Sequence, residues 1–224
     1  MIARELLDTA LLPGGERLEL YRHDRDHMIV LGHNELMSTR KNGSEIALAT
    51  MSIERLGARK APHLLIGGYG MGFTLRAGLA KLGPDAKVTV AELVPKILDW
   101  ARGPMAELTG DCLEDPRLDL VIDDVAERIA NARGAYDAIL LDVDNGPDGL
   151  VWDANDGLYT RRGLLAARDA LRPGGVLAVW SAYPDPAFAG RLRKIAGFAV
   201  DEVRVAARTN GKGAKHIIWF AQKA

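Results

Sequence analysis

The chain is predicted to fold as a doubly wound α/β domain: a seven-stranded, mostly parallel sheet whose last strand is antiparallel, preceded by a short N-terminal β-hairpin. Three observations predict it. From Pro62 onward, short apolar runs alternate with amphipathic stretches of helical period. Several of those runs, such as "AILL" within Tyr136 to Leu141, are apolar without interruption, as suits strands covered by helices on both faces. Four glycines then fall within six positions at the end of the first run, in "HLLIGGYGMGF" from His63 to Phe73.

The elements follow in order. From Glu16 to Arg40, "ERLELYRHDRDHMIVLGHNELMSTR" alternates apolar and polar residues on both sides of the polar turn "RHDRDH", which predicts a hairpin. A helix is expected from Ser44 to Leu56. Strand then alternates with helix: "HLLIG" and "GFTLRAGLAKLG"; "KVTVAEL" and "PKILDWARGPMAEL"; "LDLVIDD" and "VAERIANAR"; "YDAILLDVD" and "LYTRRGLLAARDAL"; "GVLAVWSAY" and "PAFAGRLRKIA". Two strands, "FAVDEVRV" and "KHIIWFA", close the chain, and "RTNGKGAKH" between them reads as a basic hairpin turn. The division expected is residues 1–61 for the hairpin and linking helix, and 62–224 for the ligand-binding domain.

Composition excludes several classes of function. With 224 residues, 48% of them hydrophobic, the chain can bury a full core. A net charge of −1 with dispersed Lys and Arg gives no electrostatic footprint for nucleic acid. No run reaches the ~18–20 apolar residues of a membrane span, and acids interrupt the N-terminal stretch, so a cytoplasmic protein is expected. The single cysteine, Cys112, excludes an intramolecular disulfide and a multi-cysteine metal site. His23, His27 and His33 read as exposed residues around the hairpin, and no metal is expected. The expected partner is a small molecule.

In an open α/β sheet a ligand sits beyond the carboxyl ends of the strands, where strand order reverses. Gly67, Gly68, Gly70 and Gly72 fall there, and glycine permits positive φ and bare N–H groups facing an anion or a nucleoside. Counting from Gly68, the spacing is G-x-G-x-G and not the G-x-G-x-x-G of dinucleotide sites, since Phe73 stands where the last glycine would be. Tyr69, inside the loop, covers the nucleoside or fills the loop. Glu92 ends the next strand about twenty residues on, where a carboxylate can accept from both hydroxyls of a ribose. Asp123 and Asp124 end the third strand, either accepting from an adenine amino group or capping the helix that follows.

Taken in order, these motifs and the "LRPGGVL" turn resemble the Rossmann-like class I S-adenosylmethionine-dependent methyltransferases, and within them the spermidine synthase branch, the polyamine aminopropyltransferases. "LLIGGYGMG" sits where that branch carries a Gly-Gly-Gly-Asp-Gly-Gly loop. "VAELVPKILDWAR" is similar to its ribose-binding segment, and "EDPRLDLVIDDVAERI" to its Asp-Pro-Arg strand with the adenine-binding acid. "LGHNELMSTRKNGSEIALATMSI" is similar to the segment joining its N-terminal β-domain to the catalytic domain. The resemblance implies a transferase with S-adenosylmethionine or its decarboxylated form as co-substrate, an amine or polyamine acceptor, and no metal. It also assigns catalysis to Asp142, which matches the first acid of an Asp-x-x-Asp motif, with Asp144 as partner because Asn145 replaces the second acid.

Two departures keep other readings open. Gly70 stands in the column of the loop aspartate, removing a charge that would repel the carboxylate of undecarboxylated S-adenosylmethionine. Asn42, Gly43 and Ser44 precede Glu45 where the family has Tyr-His. A methyltransferase on a small acceptor and a non-catalytic adenosyl-nucleoside-binding protein are therefore the alternatives. Trp152 is a further wall of the acceptor pocket or a packing residue, and the hairpin is available to pair between two copies in a homodimer.

Overall fold

A computed structural model describes residues 4–12, 14–143, 156–195 and 197–224. Its N-terminal part is an antiparallel sheet of β1 (Glu5–Leu11), β2 (Arg17–His23), β3 (Asp26–Leu31) and β4 (Asn34–Ser38), ordered as in the sequence. The expected hairpin is its middle, β2 against β3, and the turn between them holds Asp24 at φ 60°, a left-handed position that Asp tolerates. The outer strands extend this unit beyond what alternation alone indicated. Leu18, Leu20, Ile29 and Leu31 point into the same core as the larger sheet, so the small sheet is packed against it.

The larger sheet contains β5 (His63–Gly67), β6 (Lys87–Glu92), β7 (Leu118–Ile122), β8 (Tyr136–Leu141), β9 (Leu171–Ser181), β10 (Phe198–Ala206) and β11 (Lys215–Lys223), in the order β10-β11-β9-β8-β5-β6-β7. The pairs among β5 to β9 are parallel, and β11 runs antiparallel to both β9 and β10. The seven-stranded architecture with an antiparallel last strand is as the sequence predicts. Two-residue alternation explains the unbroken apolar runs: Leu64 and Ile66 face one core, Leu65 faces the other, and Leu140 and Leu141 divide the same way.

Helices cover both faces. On one lie α1 (Gly43–Leu56), α2 (Phe73–Lys81) and α3 (Pro95–Arg102), contributing Leu48, Leu75 and Trp100. The single helix expected over "PKILDWARGPMAEL" breaks at Gly103–Pro104, because proline has no N–H to continue the ladder, and resumes as α4 (Ala106–Thr109). On the other face lie α5 (Val125–Asn131), α6 (Asp156–Tyr159), α7 (Arg161–Ala170) and α8 (Pro186–Arg193). No helix of the described residues is long and apolar enough to cross a membrane.

Strand order reverses around β5, with β6 and β7 on one side and β8 and β9 on the other. The carboxyl ends of β5 and β8 therefore open onto a crevice. At the opposite end, a buried carboxylate ties these strands together. Asp137, 2% exposed, pairs with Arg59 and with Arg172 at 2.7 Å, and accepts from the His63 N–H at 2.8 Å. Asp137→Ala leaves two guanidinium groups and an N–H without their shared acceptor, and should cost about 3 kcal/mol in urea unfolding. A loss below ~1 kcal/mol would show that the clamp contributes only surface charge.

Candidate functional site

The glycine loop leaves β5 at Gly67 and enters α2 at Phe73, with Gly68, Gly70 and Gly72 at φ 78°, 55° and 72°. Gly72 is required by space as well as by conformation, whereas at Gly70 an added side chain would meet only the end of the Met37 side chain. A Cβ on Gly72 would lie 2.7 Å from Tyr69 Oη and 2.8 Å from Arg76 Nη1, and one on Gly70 would lie 2.8 Å from Met37 Cε. Met37 of β4 thus reaches across from the small sheet onto the loop. The Tyr69 ring turns inward: it is 4% exposed, and its hydroxyl donates to Thr109 Oγ1 at 3.2 Å. Tyr69 serves the loop through its backbone, which donates to Glu92 Oε2 at 2.8 Å.

The strand-end acids meet in one cleft. Gly68, Gly70, Glu92, Asp123, Asp124 and Asp142 all line it, and Leu18, Ile29, Leu36 and Met37 of the small sheet form its apolar roof around about 150 Å³ of open space. Glu92 is buried, with Oε2 on the loop and Oε1 accepting from the Val94 N–H at 2.8 Å. Burial raises its pKa, against which the N–H groups of Val94, Tyr69 and Gly70 favour the anion. With those N–H groups around it the carboxylate is fixed in place facing the cleft, where a ligand hydroxyl would donate to it. Asp124 caps α5, its Oδ1 accepting from the Ala126 N–H at 2.7 Å. Asp123 accepts from the Asp124 N–H at 2.9 Å and pairs with Arg128 at 2.9 Å. Asp124 therefore caps the helix and Asp123 does not, while both residues face the cleft.

Asp142 follows β8 and accepts from the Thr74 hydroxyl at 3.1 Å. Beneath the cleft it lines a smaller cavity with Gly68, Gly70, Thr74 and Glu45. Glu45, in the first turn of α1, is 9% exposed; burial, then the charge of Asp142, pushes its pKa up to about 8. Burial raises Asp142 to about 6, with the Thr74 hydrogen bond opposing the rise. Two acids lining one cavity disfavour each other's ionisation, so the pair retains one proton near neutral pH. On the outer side, Glu45 and Met37 also line a pocket of about 290 Å³ with Lys41, Trp180, Tyr183 and His216.

The structure thus brings Gly68, Gly70, Glu92, Asp123, Asp124 and Asp142 to one cleft, with Gly67 and Gly72 shaping the loop. Asp144, Asn145 and Trp152 lie outside the described residues. Glu45, Trp180 and His216 were not singled out as site residues from the sequence. The one available signal was an acid at a helix start otherwise flanked by small and apolar residues.

A family model described as "Spermine/spermidine synthase domain" matches residues 48–184, more than half of the chain. A polyamine aminopropyltransferase of Korarchaeum cryptofilum is 33% identical over 118 residues, covering 53% of this chain and 34% of that protein. One from Mycobacterium tuberculosis is 32% identical over 159 residues, 67% of this chain and 29% of that one. The matched stretches span about a third of those relatives' lengths. The solved spermidine synthase from Thermotoga maritima superposes with a TM-score of 0.74 at 20% identity, over 98% of this chain and 72% of that chain, a likeness of fold.

The raised acids make stability depend on pH. Glu45 in the folded chain keeps its proton up to about pH 8, whereas unfolded it releases the proton near 4.5, so the folded state loses stability as pH rises through that interval. Glu45→Gln removes this loss. Its melting temperature should exceed that of the unsubstituted protein by roughly 3 °C or more above pH 8, and the difference should shrink toward pH 5. A constant difference across that range would contradict the shared-proton description.

Proposed function

The chain belongs to the spermine/spermidine synthase domain family, and on that premise we propose that it is an aminopropyltransferase, binding decarboxylated S-adenosylmethionine in the cleft and passing its aminopropyl group to an amine. The observation that carries this reading is the sign of the charge. Among the described residues, every charged side chain lining the cleft and the small cavity beneath it is acidic: Glu92, Asp123, Asp124, Asp142 and Glu45. A sulfonium bearing an ammonium tail is attracted there. The carboxylate of undecarboxylated S-adenosylmethionine meets no cation among those residues, and like charges at ~4 Å cost on the order of 4 kcal/mol in a partly screened site. Gly70 removed one reason to reject that carboxylate, but Glu45 and Asp142 supply negative charge to the same cavity.

In this reading Glu92 holds the ribose hydroxyls, and Asp123 and Asp124 face the adenine. Asp142, sharing its proton with Glu45, accepts a proton from the acceptor ammonium. The freed amine lone pair then forms a bond to the carbon beside the sulfonium. That carbon's bond to sulfur breaks with its electrons going to sulfur, and a neutral thioether leaves. The amine acceptor enters through the outer pocket past Trp180 and Tyr183, where aromatic faces suit a cation. We assign residues 1–61 to the roof and 62–224 to the catalytic domain, place the protein in the cytoplasm, and retain the homodimer expectation for the small sheet, whose outer strand β1 pairs only with β2 among the described residues.

Calorimetry with four nucleosides tests this directly. Decarboxylated S-adenosylmethionine and methylthioadenosine should bind at least about tenfold more tightly than S-adenosylmethionine and S-adenosylhomocysteine. Asp142→Asn should lower putrescine turnover about 100-fold or more while leaving methylthioadenosine affinity within ~threefold. Preference for the carboxylate-bearing pair would favour methyl transfer instead, and binding without consumption of any amine would favour a nucleoside sensor.

A further inference from the structure

Glu45 stands in a hydrogen-bonded line that the transfer step does not use. Its Oε2 lies 2.7 Å from Ser44 Oγ, and the same Oγ lies 2.8 Å from His216 Nδ1. The two ends of this line come from α1 and β11, and Gly43 is what lets them meet. A Cβ on Gly43 would lie 2.6 Å from the Arg208 carbonyl carbon and 2.8 Å from the Thr209 nitrogen, and the Gly43 N–H donates to Ala207 O at 2.9 Å. The start of α1 is therefore seated directly on the backbone between β10 and β11. His216 is half-buried on the outer pocket, its ring edge-on to Trp180 at 4.9 Å between centroids.

Aminopropyl transfer releases one proton per turnover. An ammonium and a sulfonium enter, a secondary ammonium and a neutral thioether leave, and the proton taken from the acceptor remains on the Asp142–Glu45 pair. It has to reach water before the next acceptor is accepted. We propose that Ser44 and His216 carry this proton from the Asp142–Glu45 pair to solvent, Ser44 as relay hydroxyl and His216 as exit base at the pocket mouth.

The inference rests on the aminopropyl-transfer reading. At rest the Ser44 hydroxyl donates to Glu45; when Glu45 takes up the proton the bond reverses, Glu45 donating to Ser44 Oγ while the Ser44 hydroxyl hydrogen passes to His216 Nδ1. The imidazolium gives its Nε2 proton to water, and tautomer exchange through water restores the accepting ring. Neither residue touches the reacting carbon; both act through Glu45.

The surroundings suit an accepting imidazole. Burial, then the charge of Lys41, holds the His216 pKa below its usual value, so the ring gives up a proton to water more readily than an ordinary histidine. Among the described residues, the charged and titratable groups lining this pocket with it are Lys41 ahead of α1, Glu45 of α1, Glu35 of β4, His33 in the turn before β4 and Tyr183 after β9, with Lys41 paired to Glu35 at 2.9 Å.

The test is steady-state kinetics with decarboxylated S-adenosylmethionine and putrescine from about pH 6 to about pH 9, on the unsubstituted protein, Ser44→Ala, His216→Gln and His216→Ala. Near pH 7 each variant should lose about tenfold or more in kcat, with the KM for amine within ~twofold, and the deficit should shrink toward pH 9 as hydroxide takes over. Added imidazole should restore His216→Ala and leave Ser44→Ala slow. Variants that keep the parental near-ultraviolet circular dichroism, kcat and pH profile would overturn the relay while the transfer reading stands. An unsubstituted protein that transfers nothing would overturn both. Should Ser44→Ala fail to fold, the two His216 variants with and without imidazole decide alone.

Discussion

A carboxylic acid taken out of water resists losing its proton, and resists more strongly when a second one stands nearby. Glu45 and Asp142 place that constraint at the centre of this molecule, one from the first turn of α1 and the other from the end of β8. Their burial costs stability, and the structure around them reads as its compensation: Thr74 donates to Asp142, and Ser44 donates to Glu45. A cation entering the cavity replaces the shared proton as the neutralising charge. The strain of holding two acids there thus becomes affinity for an amine or a sulfonium.

The rest of the fold positions and closes this point. Glu92 fastens the glycine loop to the start of α3 by accepting from both Tyr69 and Val94, so the loop, β6 and α3 move as one piece. The small sheet is fixed over it in turn: Asp8 of β1 accepts from Trp100 Nε1 at 3.0 Å and pairs with Lys96 at 3.0 Å, both on α3. Trp100 is fully buried, so that contact anchors the roof in the core and not merely at the surface. Leu18, Ile29, Leu36 and Met37 then form the apolar side of the cleft facing the acids, which lowers the local dielectric around their charges.

Much of this was legible in the chain because a parallel sheet delivers its strand ends to one place. Gly68, Gly70, Glu92, Asp124 and Asp142 each lie at or just beyond the carboxyl end of a strand, and local patterning suffices to find such positions. The seven-stranded sheet followed for the same reason, from apolar runs that two covered faces demand. What escaped was long-range. Ser44 and His216 are 172 residues apart, and no local period signals that the backbone near Arg208 crosses Gly43. Strand β1, "ELLDTAL", carries an acid amid its apolar residues and alternates poorly, so its pairing with β2 is set by the neighbouring strand more than by its own pattern. Tyr69 reads equally well as a lid or as filling, and only the inward hydrogen bond to Thr109 separates them. Gly70 was the instructive case: its missing charge is visible in the sequence, whereas the charges that take its place come from elements far away along the chain.

The central claim is that the Glu45–Asp142 pair holds one proton that an incoming cation displaces. Calorimetric titration of the protein, saturated with methylthioadenosine, by a diamine in buffers of different ionisation enthalpy measures that proton directly. At pH 7 the account predicts release of close to one proton per diamine bound, falling toward none when Glu45 is replaced by Gln. Binding with no proton release in the unsubstituted protein would contradict it.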